Sequence, residues 1–185
     1  MSEQVKQRVN KAWDQIESKV AELDPKQLKL LRPPATKKEV DDLSKAIGIN
    51  LPPDIVASLM RHNGCQQDKC FLRYHYYPAD KIAEATIEKR EWYETHADEN
   101  DGLKDPLDKG GWDSEAIMFA TTFAGYEFAI LCENCETAVP YFYACNNYAL
   151  TMAQDYVGYL EKMVLHLETG IFEWHEGTLV VNVAP

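Results

Sequence analysis

Basic side chains are scarce over the second half of this sequence: after residue 90 only Lys104, Lys109 and Lys162 remain. Across all 185 residues, 19 basic groups face 30 acidic ones, a net charge of -11. That balance is a poor match for a phosphate backbone or an anionic membrane surface, and a natural match for a basic partner. Long apolar runs are also missing. Nothing approaches the roughly 18 residues of a membrane-spanning helix, and MSEQVKQRVNKAWDQ lacks the apolar stretch of an export signal, so a cytoplasmic location is expected. The phosphate-cradling patterns GxGxxG and GxxxxGK[ST] are absent. So is a calcium loop: an EF-hand register begun at Asp98 puts Leu103 where glycine is needed and Lys109 where the bidentate glutamate is needed. The cysteines, Cys65, Cys70, Cys132, Cys135 and Cys145, are odd in number, which without an export signal favours reduced thiols over a disulfide framework.

What is present suffices to fold. Apolar residues make up 45% of the chain and charged residues 26%, the composition of an ordinary globular domain. The length suits one domain over residues 1–185, and neither an internal repeat nor a long linker divides it.

The charge is unevenly placed. Residues 1–90 hold 16 basic and 13 acidic side chains, whereas residues 91–136 hold 2 and 12, a local balance of -10. The centre of this stretch is Glu91, Glu94, Asp98, Glu99, Asp101, Asp105, Asp108, Asp113 and Glu115. A solvated loop is the plain reading of such a run; a negative binding surface is the functional one.

Hydrophobic spacing gives the elements. Val5, Val9, Trp13, Ile16, Val20 and Leu23 recur at helical steps, and Asp24-Pro25 ends that helix. After a linker over 26–34, Thr36 and Glu39 have the capping-box spacing before a helix on Val40, Leu43 and Ile47, with Gly48 as its left-handed stop. Pro52-Pro53-Asp54 opens a third helix, closed by His62-Asn63-Gly64. The aromatic run 71–77 reads as a strand and 80–96 as a helix. Strands at 116–120, 126–132 and 139–144 are joined by short turns, as in an antiparallel meander. A helix follows Thr151 and stops at Gly170, and a terminal hairpin pairs 171–175 with 178–183. The pattern is α+β: a mostly antiparallel sheet covered by helices.

Several of these stretches together carry a resemblance. Trp13-Asp14-Gln15-Ile16-Glu17, Pro33-Pro34-Ala35-Thr36 with Glu39-Val40 and Leu43, Gly48-Ile49-Asn50-Leu51-Pro52-Pro53-Asp54 and His62-Asn63-Gly64 resemble the SUKH superfamily, which contains fungal cell-wall assembly regulators and many bacterial immunity proteins. Tyr159-Leu160 stands where that family has an aromatic-leucine pair. Two departures are visible: Cys132-Glu133 stands where an aspartate often ends a strand of the meander, and the long arms of the fungal regulators are missing. The resemblance implies a compact, non-enzymatic protein-binding domain without a cofactor. Its missing arms favour an immunity protein that neutralises a toxin of the nuclease or deaminase class; the alternative is an intracellular regulatory or scaffold module of the cell-wall assembly type.

Residue chemistry then suggests where a basic toxin domain would bind. The acidic groups Asp98, Glu99, Asp101, Asp105, Asp108, Asp113 and Glu115 imitate a phosphate backbone, and Trp92, Tyr93 and Trp112 are aromatic anchors beside them. Trp112 also suits a core position under the following strand. Two chemical alternatives compete. Cys65, Cys70, Cys132 and Cys135 would bind zinc if two turns met, against the simpler reading of independent buried thiols. Cys132 or Cys145 with His166 or His175 would make a cysteine hydrolase, but the surroundings lack the cations that activate a thiolate. His62 and Trp13 read as scaffold rather than as catalytic or recognition groups.

Overall fold

A computed structural model describes residues 3–66, 69–96, 116–122, 127–132, 139–144, 148–151, 153–175 and 177–181. Helix α1 spans Glu3–Leu23 and buries Val9, Ala12, Trp13, Ile16 and Val20, the stripe its sequence spacing dictates. Replacing Ile16, which is fully buried, by alanine would cost about 2–5 kcal/mol. The linker that follows is not wholly irregular, because Pro25 starts a single turn, α2 (Pro25–Leu28). Helix α3 (Lys37–Ile47) begins with the reciprocal capping box: Thr36 accepts from the Glu39 amide while the Glu39 carboxylate accepts from the Thr36 amide. Gly48 ends it at φ 71°. Helix α4 covers Pro53–Leu59.

The expected strand over 71–77 shortens to β1 (Tyr74–Tyr76). Leu72 and Arg73 take φ of 52° and 106°, and Phe71 and Tyr74 exchange backbone hydrogen bonds around them. An aromatic run that reads as continuous strand therefore contains a tight turn, held at two positive-φ residues that are not glycine.

Helix α5 (Ala79–His96) leads to the meander strands β2 (Ala116–Thr122), β3 (Glu127–Leu131) and β4 (Val139–Ala144), and a further short strand, β5 (Tyr148–Thr151), extends it. The five strands lie in the order β1-β2-β3-β4-β5, every pair antiparallel. Helix α6 (Tyr156–Thr169) is capped by Asp155, which accepts from the Gly158 amide, and stops at Gly170. Strands β6 (Glu173–His175) and β7 (Thr178–Val180) form a separate two-stranded sheet. The result is a single α+β domain.

Alternation along β2 and β3 sorts side chains to two faces. Ile117, Phe119, Phe128 and Ile130 join the main core with α1, α4 and α6, while Ala116, Met118, Ala129 and Leu131 form a smaller cluster with Ala85 of α5 and Tyr77. The main core contains polar aromatics. Trp13 Nε1 donates to Ser58 Oγ at 3.0 Å, Ser58 Oγ and the Tyr156 hydroxyl share a hydrogen bond of 3.1 Å, and the hydroxyls of Tyr76 and Tyr159 lie 2.8 Å apart. These bonds offset the cost of burying the polar ends of large side chains.

Candidate interaction surface

Position in this molecule is set around His62-Asn63-Gly64. The Asn63 side chain accepts from the Ala79 amide at 2.8 Å, satisfying the first donor of α5, and donates to Glu39 Oε1 at 3.3 Å. Gly64 has φ 70°, and a Cβ there would fall 2.6 Å from backbone atoms of Tyr76, Tyr77 and Pro78. His62 places Nε2 2.9 Å from Glu17 Oε1 and Nδ1 3.3 Å from the Arg32 carbonyl oxygen, and its ring meets Trp13 edge-on at 5.0 Å. Both ring nitrogens face protein oxygens, so neither is left to serve as a base. The motif therefore fixes α5 against α3, α4 and β1. Further along α5, Thr86 Oγ1 accepts from the Met118 amide at 3.0 Å, and Arg90 Nη1 donates to the last-turn carbonyl of α3 at Ile47, at 2.6 Å.

This anchoring presents Trp92. Its side chain is 45% exposed, and Lys89 Nζ sits 5.6 Å from the ring centroid. A groove of about 380 Å³ runs beside it between α5 and the sheet, lined among others by Tyr77, Lys81, Ala85 and Met118. Tyr93 is on the same helix, but its side chain is not among those described. Asp98, Glu99, Asp101, Asp105, Asp108, Trp112, Asp113 and Glu115 lie outside the described residues. Of the side chains singled out from sequence as contacts, Trp92 alone is described.

Three of the five cysteines are described. Cys65, Cys70 and Cys132 are buried. Burial pushes the Cys65 thiol up to about 12 and that of Cys70 to about 11, the opposite of what a thiolate nucleophile needs. Among the described residues no three His, Cys, Asp or Glu side chains come together as metal ligands; Cys135, the fourth residue of the zinc alternative, and Cys145 lie outside the described residues.

One buried acid was not singled out from sequence. Asp54, 4% exposed at the start of α4, has its carboxyl pushed up to about 6 by burial, with the nearby Asp155 charge adding to the shift. Its Oδ1 accepts from the Ile55 amide at 2.9 Å, and the backbone of Tyr156 also hydrogen-bonds to it. The acid ties the start of α4 to the start of α6 and faces no solvent, which makes it a structural group. A charged residue beside prolines gives no sequence sign of such burial.

No described helix is long and apolar enough to cross a membrane. A family model described as the SMI1 / KNR4 family (SUKH-1) matches residues 34–162. No curated protein matches the chain. The matched residues begin after α1, so Trp13 and its neighbours lie outside them.

Proposed function

Because the chain belongs to the SMI1 / KNR4 family (SUKH-1) and is in general terms a protein-interaction domain, we propose that it is an immunity protein that neutralises a toxin domain. Its mode is non-catalytic occlusion in the cytoplasm, with all of residues 1–185 acting as one unit. The observation that carries this reading is the local balance of -10 over residues 91–136, a stretch that includes the exposed Trp92 near its start. Nucleases and deaminases recognise polyanions through basic grooves, and a protein surface with carboxylates in place of phosphates competes for the same groove. Opposite charge also speeds encounter, so that a toxin is captured before it reaches nucleic acid. The proposed contacts are Trp92, Tyr93 and Trp112 as anchors within the carboxylates Asp98, Glu99, Asp101, Asp105, Asp108, Asp113 and Glu115.

Co-expression tests the reading. A toxin domain encoded beside this chain should arrest growth alone and be tolerated when the chain is present. Unchanged killing, despite soluble chain in excess, would reject the immunity role and leave the regulatory module as the better reading.

A further inference from the structure

We propose that β6, the outer strand of the C-terminal hairpin, is a docking surface for a basic, extended segment of a protein partner, with Trp174 as its anchor. The inference rests on the protein-interaction reading and names a surface separate from the acidic stretch.

The two strands of the hairpin are unequal. Leu179, Val180 and Val181 are buried, and Gln27 Nε2 donates to the Leu179 carbonyl at 2.7 Å, which fastens β7 to the body. Glu173, Trp174 and His175 are all exposed. Among the described residues β6 pairs with β7 alone, so its outer edge offers backbone donors and acceptors. A strand held from behind loses little freedom when a second strand pairs with it.

Trp174 is 53% exposed and Ile171 is 54% exposed, and neither the indole N–H nor the ring of Trp174 has a partner among the described residues. Exposed edges are usually blunted by lysine or proline; this one carries Glu, Trp and His. Charge selects the occupant. Residues 163–185 contain Glu168, Glu173 and Glu176 and no lysine or arginine. A lysine- or arginine-bearing strand is complementary to that edge. A second copy of the chain would set Glu173 against its own like-charged edge, and an acidic strand would be repelled similarly.

The test uses the full chain and a synthetic peptide of about eight residues alternating lysine and valine, long enough to span one strand. Amide NMR shifts should change around Glu173 to Thr178, and Trp174→Ala and Glu173→Lys should each weaken binding about tenfold or more. Met60→Ala, an exposed change elsewhere, should leave it unchanged. A Glu-Val peptide should not bind. The proposal is overturned by shifts confined to α5, by full affinity in Trp174→Ala, by equal binding of the Glu-Val peptide, or by self-association that Trp174→Ala abolishes. Peptide binding without toxin rescue would leave β6 standing and remove the immunity role; rescue without peptide binding would do the reverse.

Discussion

The side-chain amide of Gln27 donates to the main-chain carbonyl of Leu179 at 2.7 Å, joining positions 152 residues apart in sequence. Its oxygen accepts from the Leu72 amide at 2.8 Å, so one buried side chain holds both the positive-φ turn before β1 and the strand β7. Gln27→Leu should therefore leave a buried N–H and a buried C=O without partners and lower stability by about 2–4 kcal/mol in chemical denaturation. A loss below about 0.5 kcal/mol would mean that water replaces the amide, and that the turn needs no such support.

Two glycines with the same sign of φ should behave differently. At Gly64 a methyl group would meet backbone 2.6 Å away, whereas at Gly48 nothing lies within 4 Å. Gly48→Ala should cost about 1 kcal/mol, the penalty of the left-handed conformation alone. Gly64→Ala should cost at least about 3 kcal/mol or abolish folding, because β1 would have to move. Denaturation of the two variants side by side checks this.

Asn63→Ala should cost about 1–3 kcal/mol by leaving the Ala79 amide unpaired. Asn63→Asp keeps an acceptor at the positive end of α5 and should recover most of that loss. Equal instability of the two would show that the bond to Glu39, rather than the cap, matters.

Asp54 sets a pH dependence of definite sign. Its folded-state value of about 6 lies above the ordinary aspartate value, so between about pH 4 and 6 the folded chain binds the proton more tightly than the unfolded chain does. Its contribution is most favourable below that window and is lost as pH rises through it. Asp54→Asn keeps the acceptor for Ile55 and should raise stability at pH 7 by on the order of 2 kcal/mol, with little effect at pH 4. Denaturation midpoints at the two pH values decide. A variant less stable at pH 7 would contradict the assignment.

Local rules made much of the scaffold legible. The Thr36 and Glu39 capping box and the stop at Gly48 depend on residues within a few positions of one another. The turn at Leu72 and Arg73 was hidden because it holds no glycine, asparagine or proline, and the side chain that secures it, Gln27, lies far away in sequence. Strand β5, four residues long, is too short to register as alternation. Of the proposed contacts, Trp92 is described and exposed, while the carboxylates Asp98 to Glu115 lie outside the described residues. The exposure of Trp174 left no sign in the sequence, because which strand of the terminal hairpin is buried depends on packing against distant residues.

In the proposed function, acidic groups after α5 capture a basic partner. Its most direct measurement is the association rate with the toxin domain as a function of ionic strength, for the native chain and for Asp101→Lys, Asp105→Lys and Asp108→Lys combined. The native chain should associate at a fast, salt-sensitive rate, and the variant at low salt should be slower by about tenfold or more with a flattened salt dependence. Identical rates and salt slopes for the two proteins would contradict it.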